Sequence, residues 1–370
     1  MKTLSRALLP AAFLTVLTVF ASCGGSSGGG AAAPAVIGFA YIANQTSGSV
    51  SAYSIASNGA LAPVAGSPFA AGFGPNSVSV DAAGRFAYVV NTTLATVSAY
   101  KIAFGTGALV DVPGQQFVAG TNPLSISVDP QGRFAYVANF TSPGNVSAYT
   151  IASGTGVLTA VAGPFPAGTN PIAIAVDPTG RYVYVANFGS AGVSAFTIVA
   201  GTGALSPIAG SFLAGADSDA IAVDPLGRFV YVANFGDANV SAFAIDSGGA
   251  LTAVTNSPFP ARSHPQSVTV DASGRFAYVA NNGDNSISAY TIDQTSGALA
   301  PVAGSPFGAG MSPTSVSVEP SGRFAYVANF GDGSISAYAI DPGTGALAAL
   351  AGLPVGATAS PVSIATTGVH

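Results

Sequence analysis

The stretch GRFAYVANFGDGSISAY, residues 322–338, is one of several near copies along the chain. Close versions begin at Gly132, Gly180, Gly227 and Gly274, and looser ones at Gly38 and Gly84. The tyrosine of the FAYVAN-like core recurs at Tyr41, Tyr88, Tyr136, Tyr184, Tyr231, Tyr278 and Tyr326, always 47 or 48 residues apart. A catalytic motif is seldom needed seven times, whereas an architectural unit is. The period suits a propeller blade of four strands, about 40–50 residues, and exceeds the roughly 34 of common helical repeats.

The unit from Leu124 to Pro166 reads as four strands in a row. LSISV alternates small Ser with Ile and Val, RFAYVAN is apolar on both faces, NVSAYTI alternates again, and VLTAVAGPF is apolar until Pro166. Strands without a polar face need cover on both sides, which stacked blades supply. Ser125 and Ser127 read as small packing residues of the inner edge. Between the first two strands lies DPQGR, with the versions DAAGR, DPTGR, DPLGR, DASGR and EPSGR. Pro presets the second turn position and Gly takes a positive φ, so this is a tight hairpin. Its acid and arginine are expected to meet across the turn as exposed pairs that mark register.

The pattern breaks at the two ends. Ahead of Tyr41 there is no first strand, and after the seventh unit an orphan SPVSIATTG runs over Ser360–Gly368. Joined in space, the ends complete one blade and leave no open flank. The expected fold is therefore all-β: a seven-bladed β-propeller of four-stranded blades over residues 36–370, closed by the C-terminal strand pairing into the N-terminal blade.

Composition agrees. Gly 47 and Pro 25 break long helices, while 49% hydrophobic residues permit a large core. Only 7% of residues are charged, against roughly 25% in an average soluble domain. The net charge of −5 leaves little to offer a nucleic acid. Residues 1–23 read as a lipoprotein-type signal: Lys2 and Arg6 precede the apolar run Ala7–Phe20, too short to span a membrane comfortably, and FASC ends at Cys23. Phe20 departs from the aliphatic residue usual in a lipobox, so ordinary cleavage stands as the alternative. Cys23 is the only cysteine, which excludes an internal disulfide and suits a lipidated attachment atom. Residues 24–35 form a Gly/Ser/Ala tether. These features lead us to expect a monomer held to a bacterial envelope membrane by its lipid, facing the periplasm or the exterior.

YVAN followed by SISAY or NVSAY and then TGAL resembles the seven-bladed propellers of the lactonase family, relatives of 6-phosphogluconolactonase, and also the YVTN repeat proteins of microbial surfaces. The likeness covers about residues 36–368. It implies the propeller fold, and hydrolysis of a cyclic ester by an Arg, His and acidic cluster at the channel mouth. The only glutamate, Glu319, is spent in a repeated turn, and no catalytic residue is carried over by alignment.

Chemistry is therefore sought in what is not repeated. Loops from the second to the third strand carry Asp237, Asp284 and Asp332 in three consecutive units. Two inter-blade loops depart from the common AGTNP: AGADSDA supplies Asp217 and Asp219, and ARSHP supplies Arg262 and His264. Arg262 beside His264, facing carboxylates, is a candidate for anion binding and general-base catalysis; the five aspartates are candidate ligand contacts. A solvated loop is the bland alternative. Asp217 with Asp219 is thin evidence for a metal, since Ca²⁺ takes 6–8 oxygens. No cofactor or metal is expected. The asparagines ending each second strand read as turn formers before mouth-lining amides. The possible partners are an envelope polymer, a protein or a small lactone, which leaves two functions: a surface-tethered binding or scaffold module, or a hydrolase of unphosphorylated lactones.

Overall fold

The computed structural model describes residues 34–114, 116–352, 354–357 and 360–369. The signal, Cys23 and nearly all of the tether lie outside the described residues. Those that are described build seven antiparallel sheets. In the first, Pro361–Gly368 pairs with Val36–Asn44, from Gly38 opposite Gly368 to Asn44 opposite Pro361. Ser49–Ala56 and then Leu61–Pro63 follow outward. The tail thus supplies the innermost strand of blade 1, as the sequence leads one to expect. Blades 2 to 7 begin at Pro75, Pro123, Pro171, Ser218, Pro265 and Pro313.

The outer edge differs from the expected single fourth strand. In blade 3 it is two short pieces, Leu158–Ala160 and Phe165–Pro166, both paired with Asn145–Ile151. Every blade repeats this division. In blades 1, 3, 5 and 6 a Gly-Pro or Ser-Pro falls between the two pieces, and its Pro has no N–H to give to the ladder.

The second strands carry the core. Phe134–Asn139 is buried at every position, as are its counterparts in blades 2 and 4 to 7. One tyrosine in each of the seven second strands has no exposed surface, and its hydroxyl donates to a glycine carbonyl in the next blade. The chain of bonds runs Tyr41 to Gly107, Tyr88 to Gly156, Tyr136 to Gly203, Tyr184 to Gly249, Tyr231 to Gly297, Tyr278 to Gly345 and Tyr326 to Gly59, at 2.9–3.1 Å. Burial pushes these phenols well above their ordinary pKa, so they remain donors. The accepting glycines are doubly required. Gly156 has φ +76°, and a Cβ there would collide with the Phe86 ring.

The DPxGR turns are corrected in one respect. Their acids are not exposed: Asp81, Asp129, Asp177, Asp224, Asp271 and Glu319 are all buried. One oxygen of each accepts two backbone N–H groups, as Asp81 does from Arg85 and Phe86 at 2.6 and 2.7 Å. They staple the hairpin from inside. Direct ion pairs join Arg85–Asp81, Arg133–Asp129 and Arg228–Asp224. In DPTGR, DASGR and EPSGR the hydroxyl of Thr179, Ser273 or Ser321 takes the carboxylate instead. All six arginines lie over the following aromatic ring, 4.9–5.5 Å from its centroid.

Removing residues 361–370 exposes the Val36–Asn44 edge and strands the Tyr326–Gly59 bond in an open junction. Denaturant unfolding is expected to show a loss of at least about 4–5 kcal/mol, the exceptional end of local changes. A synthetic peptide of the removed sequence should restore the transition, and an unchanged midpoint in the truncated chain would contradict closure.

Candidate functional site

The second-to-third and inter-blade loops open on one face, around the mouth of the channel. The mouth is a cavity of about 620 Å³. What lines it follows from a defect repeated in every blade. Each innermost strand has a bulge directly after its first residue: Pro123 pairs with Asn139 and Ser125 with Ala138, which leaves Leu124 over. A bulge re-aims the extra side chain. The seven re-aimed residues are Asn76, Leu124, Ile172, Asp219, Gln266, Thr314 and Val362, and all of them line the mouth. No two are the same type.

The residue following each second-strand asparagine stands next to this ring, and Gln45, Phe235, Asn282 and Phe330 at that place also line the cavity. Phe140 and Phe188 occupy this place in blades 3 and 4, their rings 6.2 Å apart. The asparagines themselves are buried and bond within their own hairpins, Asn91 to Thr96 and Ser98 and Asn234 to Asn239 and Ser241. They brace the loops and do not line the mouth, in line with the turn-forming reading.

Asp219 is the one charged side chain among the described residues of the wall. No hydrogen bond or ion pair reaches its carboxylate among the described residues. Burial in the wall, reinforced by the charge of Asp217, pushes its pKa up to about 7. Asp217 has φ +54° and precedes the innermost strand of blade 5. His264 holds the same place in blade 6 with φ +53°, and Asn122, Asn170, Ser312 and Ser360 do so elsewhere. Asp217 and His264 thus occupy a left-handed corner whose carbonyl accepts the N–H of Phe235 or Asn282.

The remaining candidates separate. The His264 ring stacks on Phe235 with centroids 4.4 Å apart. Arg262 pairs with Asp284 at 3.7 Å on the surface, and Asp284 also accepts from Ser286. Asp237 and Asp332 accept the backbone N–H groups of Ala216 and Met311 and so tie the two loop tiers together. Asp217, Asp219, Arg262 and His264 share no hydrogen bond or ion pair with one another, and of the four only Asp219 lines the cavity. Among the described residues no group of three metal-ligating side chains gathers. No described helix is long and apolar enough to cross a membrane.

Sequence reasoning singled out Asp219 but passed over the other six bulge residues. The signal was present. The position after the strand's first residue is the one place in an otherwise repeated string where seven units carry seven different side chains.

A closed ring of such blades around a lined mouth defines the class of seven-bladed β-propellers. Within that class the chain belongs to the seven-bladed β-propeller lactonase family, whose model matches residues 113–209 and 202–311, more than half of the chain. No curated protein sequence matches it. Among solved structures, a candidate 6-phosphogluconolactonase from Bacteroides uniformis superposes with a TM-score of 0.78 at 18% identity, over 90% of this chain and 100% of the other. The periplasmic gluconolactonase of Pseudomonas aeruginosa gives 0.74 at 21% identity, over 90% and 100%. Hydrazine synthase of Kuenenia stuttgartiensis gives 0.62 at 18%, over 85% and 99%, so the fold by itself does not assign a reaction.

The Asp219 carboxyl yields a pH prediction. Its folded pKa lies above the unfolded value, so its contribution to stability is full below about pH 4 and lost as pH rises through about 7. Asp219→Asn removes that loss. Denaturant unfolding should find the variant more stable than the parent at pH 8 by about 2 kcal/mol, a value discounted for solvent screening at the open mouth, and equal to it near pH 4. Equal stabilities at both pH values would refute the buried-carboxyl account.

Proposed function

We propose that this protein works outside the cytoplasm as a lactonase-family binding module whose mouth takes an uncharged, hydroxyl-rich ring of sugar-lactone size. One observation carries the reading: the wall offers amides at Gln45, Asn76, Gln266 and Asn282, aromatic faces at Phe235 and Phe330, and a carboxyl at Asp219, with no cation. Amides and a carboxyl donate to and accept from hydroxyls, and aromatic faces cover the C–H side of a ring. A phosphorylated sugar is disfavoured. Its dianion would meet Asp219 without a compensating Arg or Lys. The periplasmic location in the name of the Pseudomonas aeruginosa relative and the signal-like N-terminus support a site outside the cytoplasm.

A second reading, hydrolysis of an unphosphorylated lactone, is favoured by the unpartnered Asp219 carboxyl. A pKa near 7 suits a general base that takes a proton from attacking water. Arg262 and His264 stand on the neighbouring lip, where His264 holds Phe235 by stacking.

Calorimetric titration separates the cases. The uncharged lactam analogue of gluconolactone is expected to bind. Gluconate should bind at least about tenfold more weakly at pH 8, with the gap narrowed at pH 5 and removed by Asp219→Asn. Gluconate binding as tightly as the lactam at pH 8 overturns the uncharged-ligand reading. Acid release from a lactone panel, lost in Asp219→Asn, selects the enzyme.

Anchoring is tested separately. Cys23→Ala should move the protein from the membrane to the soluble fraction and abolish incorporation of labelled lipid. Continued lipid labelling would discount Cys23 as the attachment atom.

A further inference from the structure

The repeat supplies an internal control: where one blade alone departs from the pattern, packing does not demand the departure. Blade 2 departs three times on the turn face, opposite the mouth. In the third strand Lys101 stands where the other blades have Ser54, Thr150, Thr197, Ala244, Thr291 and Ala339. In the following loop Phe104 replaces residues such as Ser153, Ala200 and Gln294. On the outer edge Val110 replaces Ala62, Thr159, Ser206 and their like. All three line one cavity of about 590 Å³ that is built mainly on blade 2 and reaches Phe39 of blade 1 and Ser153 of blade 3.

We propose that this cavity is a second binding site, for an amphipathic organic monoanion: a carboxylate carried on an apolar aromatic or aliphatic body. The floor is apolar, formed by Phe39, Phe86 and Ile102, all buried. The wall is Phe104, 82% exposed, and Val110, 54% exposed. Together they place apolar surface in contact with water beside an apolar floor, surface that the apolar body of a ligand would cover. A concave space of this volume suits a small molecule.

Charge fixes the head group. Lys101 pairs across the ladder with Val110, so both side chains leave the same face of the sheet. Its ammonium has no hydrogen-bond or ion-pair partner among the described residues. Arg85 also lines the cavity, but its charge is met by Asp81 at 3.2 Å and it donates to the Ser153 carbonyl at 3.3 Å. Among the described residues no carboxylate lines the cavity. Asp111 is the next residue after Val110 and opposes Tyr100, on the sheet's other face. One uncompensated cation beside an apolar floor fits one negative charge; a dianion would lack its second donor.

The test uses the full chain and 8-anilinonaphthalene-1-sulfonate, an anionic aromatic whose fluorescence rises on apolar contact. One molecule is expected to bind per chain. Lys101→Gln should weaken it about fivefold or more, Lys101→Arg should preserve it, and Phe104→Ser should weaken it comparably. Binding of the uncharged N-phenyl-1-naphthylamine should fall in Phe104→Ser and stay unchanged in Lys101→Gln. Competition by decanoate against phenylacetate tells an aliphatic from an aromatic body. Both substituted positions are exposed, and unchanged melting curves confirm that the variants fold. Equal affinity in Lys101→Gln and the parent overturns the proposal. So does Lys101-dependent binding to phosphatidylglycerol vesicles without binding of the free anions, which would make the patch a membrane contact.

Discussion

A blade of this protein cannot shield its own second strand, and that constraint organises the rest. FAYVAN has apolar side chains on both faces of its sheet, so each face needs a neighbouring blade. The tyrosine hydroxyl at its centre must also find an acceptor once buried, and the neighbour's turn glycine provides it. Seven such demands are met together only if the first and last blades touch. The Tyr326–Gly59 bond is therefore of one kind with the other six, although 267 residues separate its partners. The C-terminal strand completes blade 1 so that this junction has something to close against.

The fold was legible because its causes are repeated. Period, strand alternation, the turn chemistry of DPxGR and the orphan SPVSIATTG each point to the same ring. The details missed are those that depend on atoms two blades meet over. The inner serines read as mere space-savers, yet Ser77 accepts the N–H of Ile126 and Ser125 that of Ile174 at 3.3 Å, each in the next blade. The acids of the turns read as exposed, but a carboxylate that accepts two backbone N–H groups must lie inside the hairpin. The site was less legible for a related reason. A bulge leaves no signal within a single unit, so the residue it turns toward the channel stands out only when the seven units are compared position by position. Asp219 stood out by its charge; Asn76 and Gln266 did not.

The repeat weakens where the mouth carries its charge. Ser363, Ser77, Ser125, Ser267 and Ser315 each bond the following blade, but blades 4 and 5 have Ala173 and Ala220 there. The third-strand tyrosines that reach back to the preceding blade, such as Tyr149 and Tyr290, become Phe196 and Phe243 in the same two blades. The junction between blades 4 and 5 thus lacks both bonds. It keeps Tyr184 to Gly249 and gains Tyr182 to the Ser247 carbonyl at 2.6 Å on the turn face. The bonds lost are those near the channel and the mouth-side edge; the bond gained is at the far end. Asp219 and Asp217, two acids that repel, sit at the loosened end. Unfavourable charge concentrates where the ring is least tied, the arrangement expected when a site costs stability that the surrounding scaffold offsets.

In a chain with only 7% charged residues, a charge that does no structural task is conspicuous. The turn acids staple hairpins, the turn arginines cover aromatic rings and reach neighbouring loops, Asp237 and Asp332 brace the mouth loops, and Arg262 meets Asp284. Among the described residues two groups remain that face a cavity without a partner, Asp219 on the loop face and Lys101 on the turn face. They carry opposite charge and sit on opposite faces, each in a blade where the repeat gives way. Because each blade's packing depends on its second strand and its turn glycine, the bulge position and the turn-face end of the third strand are free to vary without loosening the ring. A repeat architecture therefore confines chemistry to the positions its own closure does not use, and both unpartnered charges are found there.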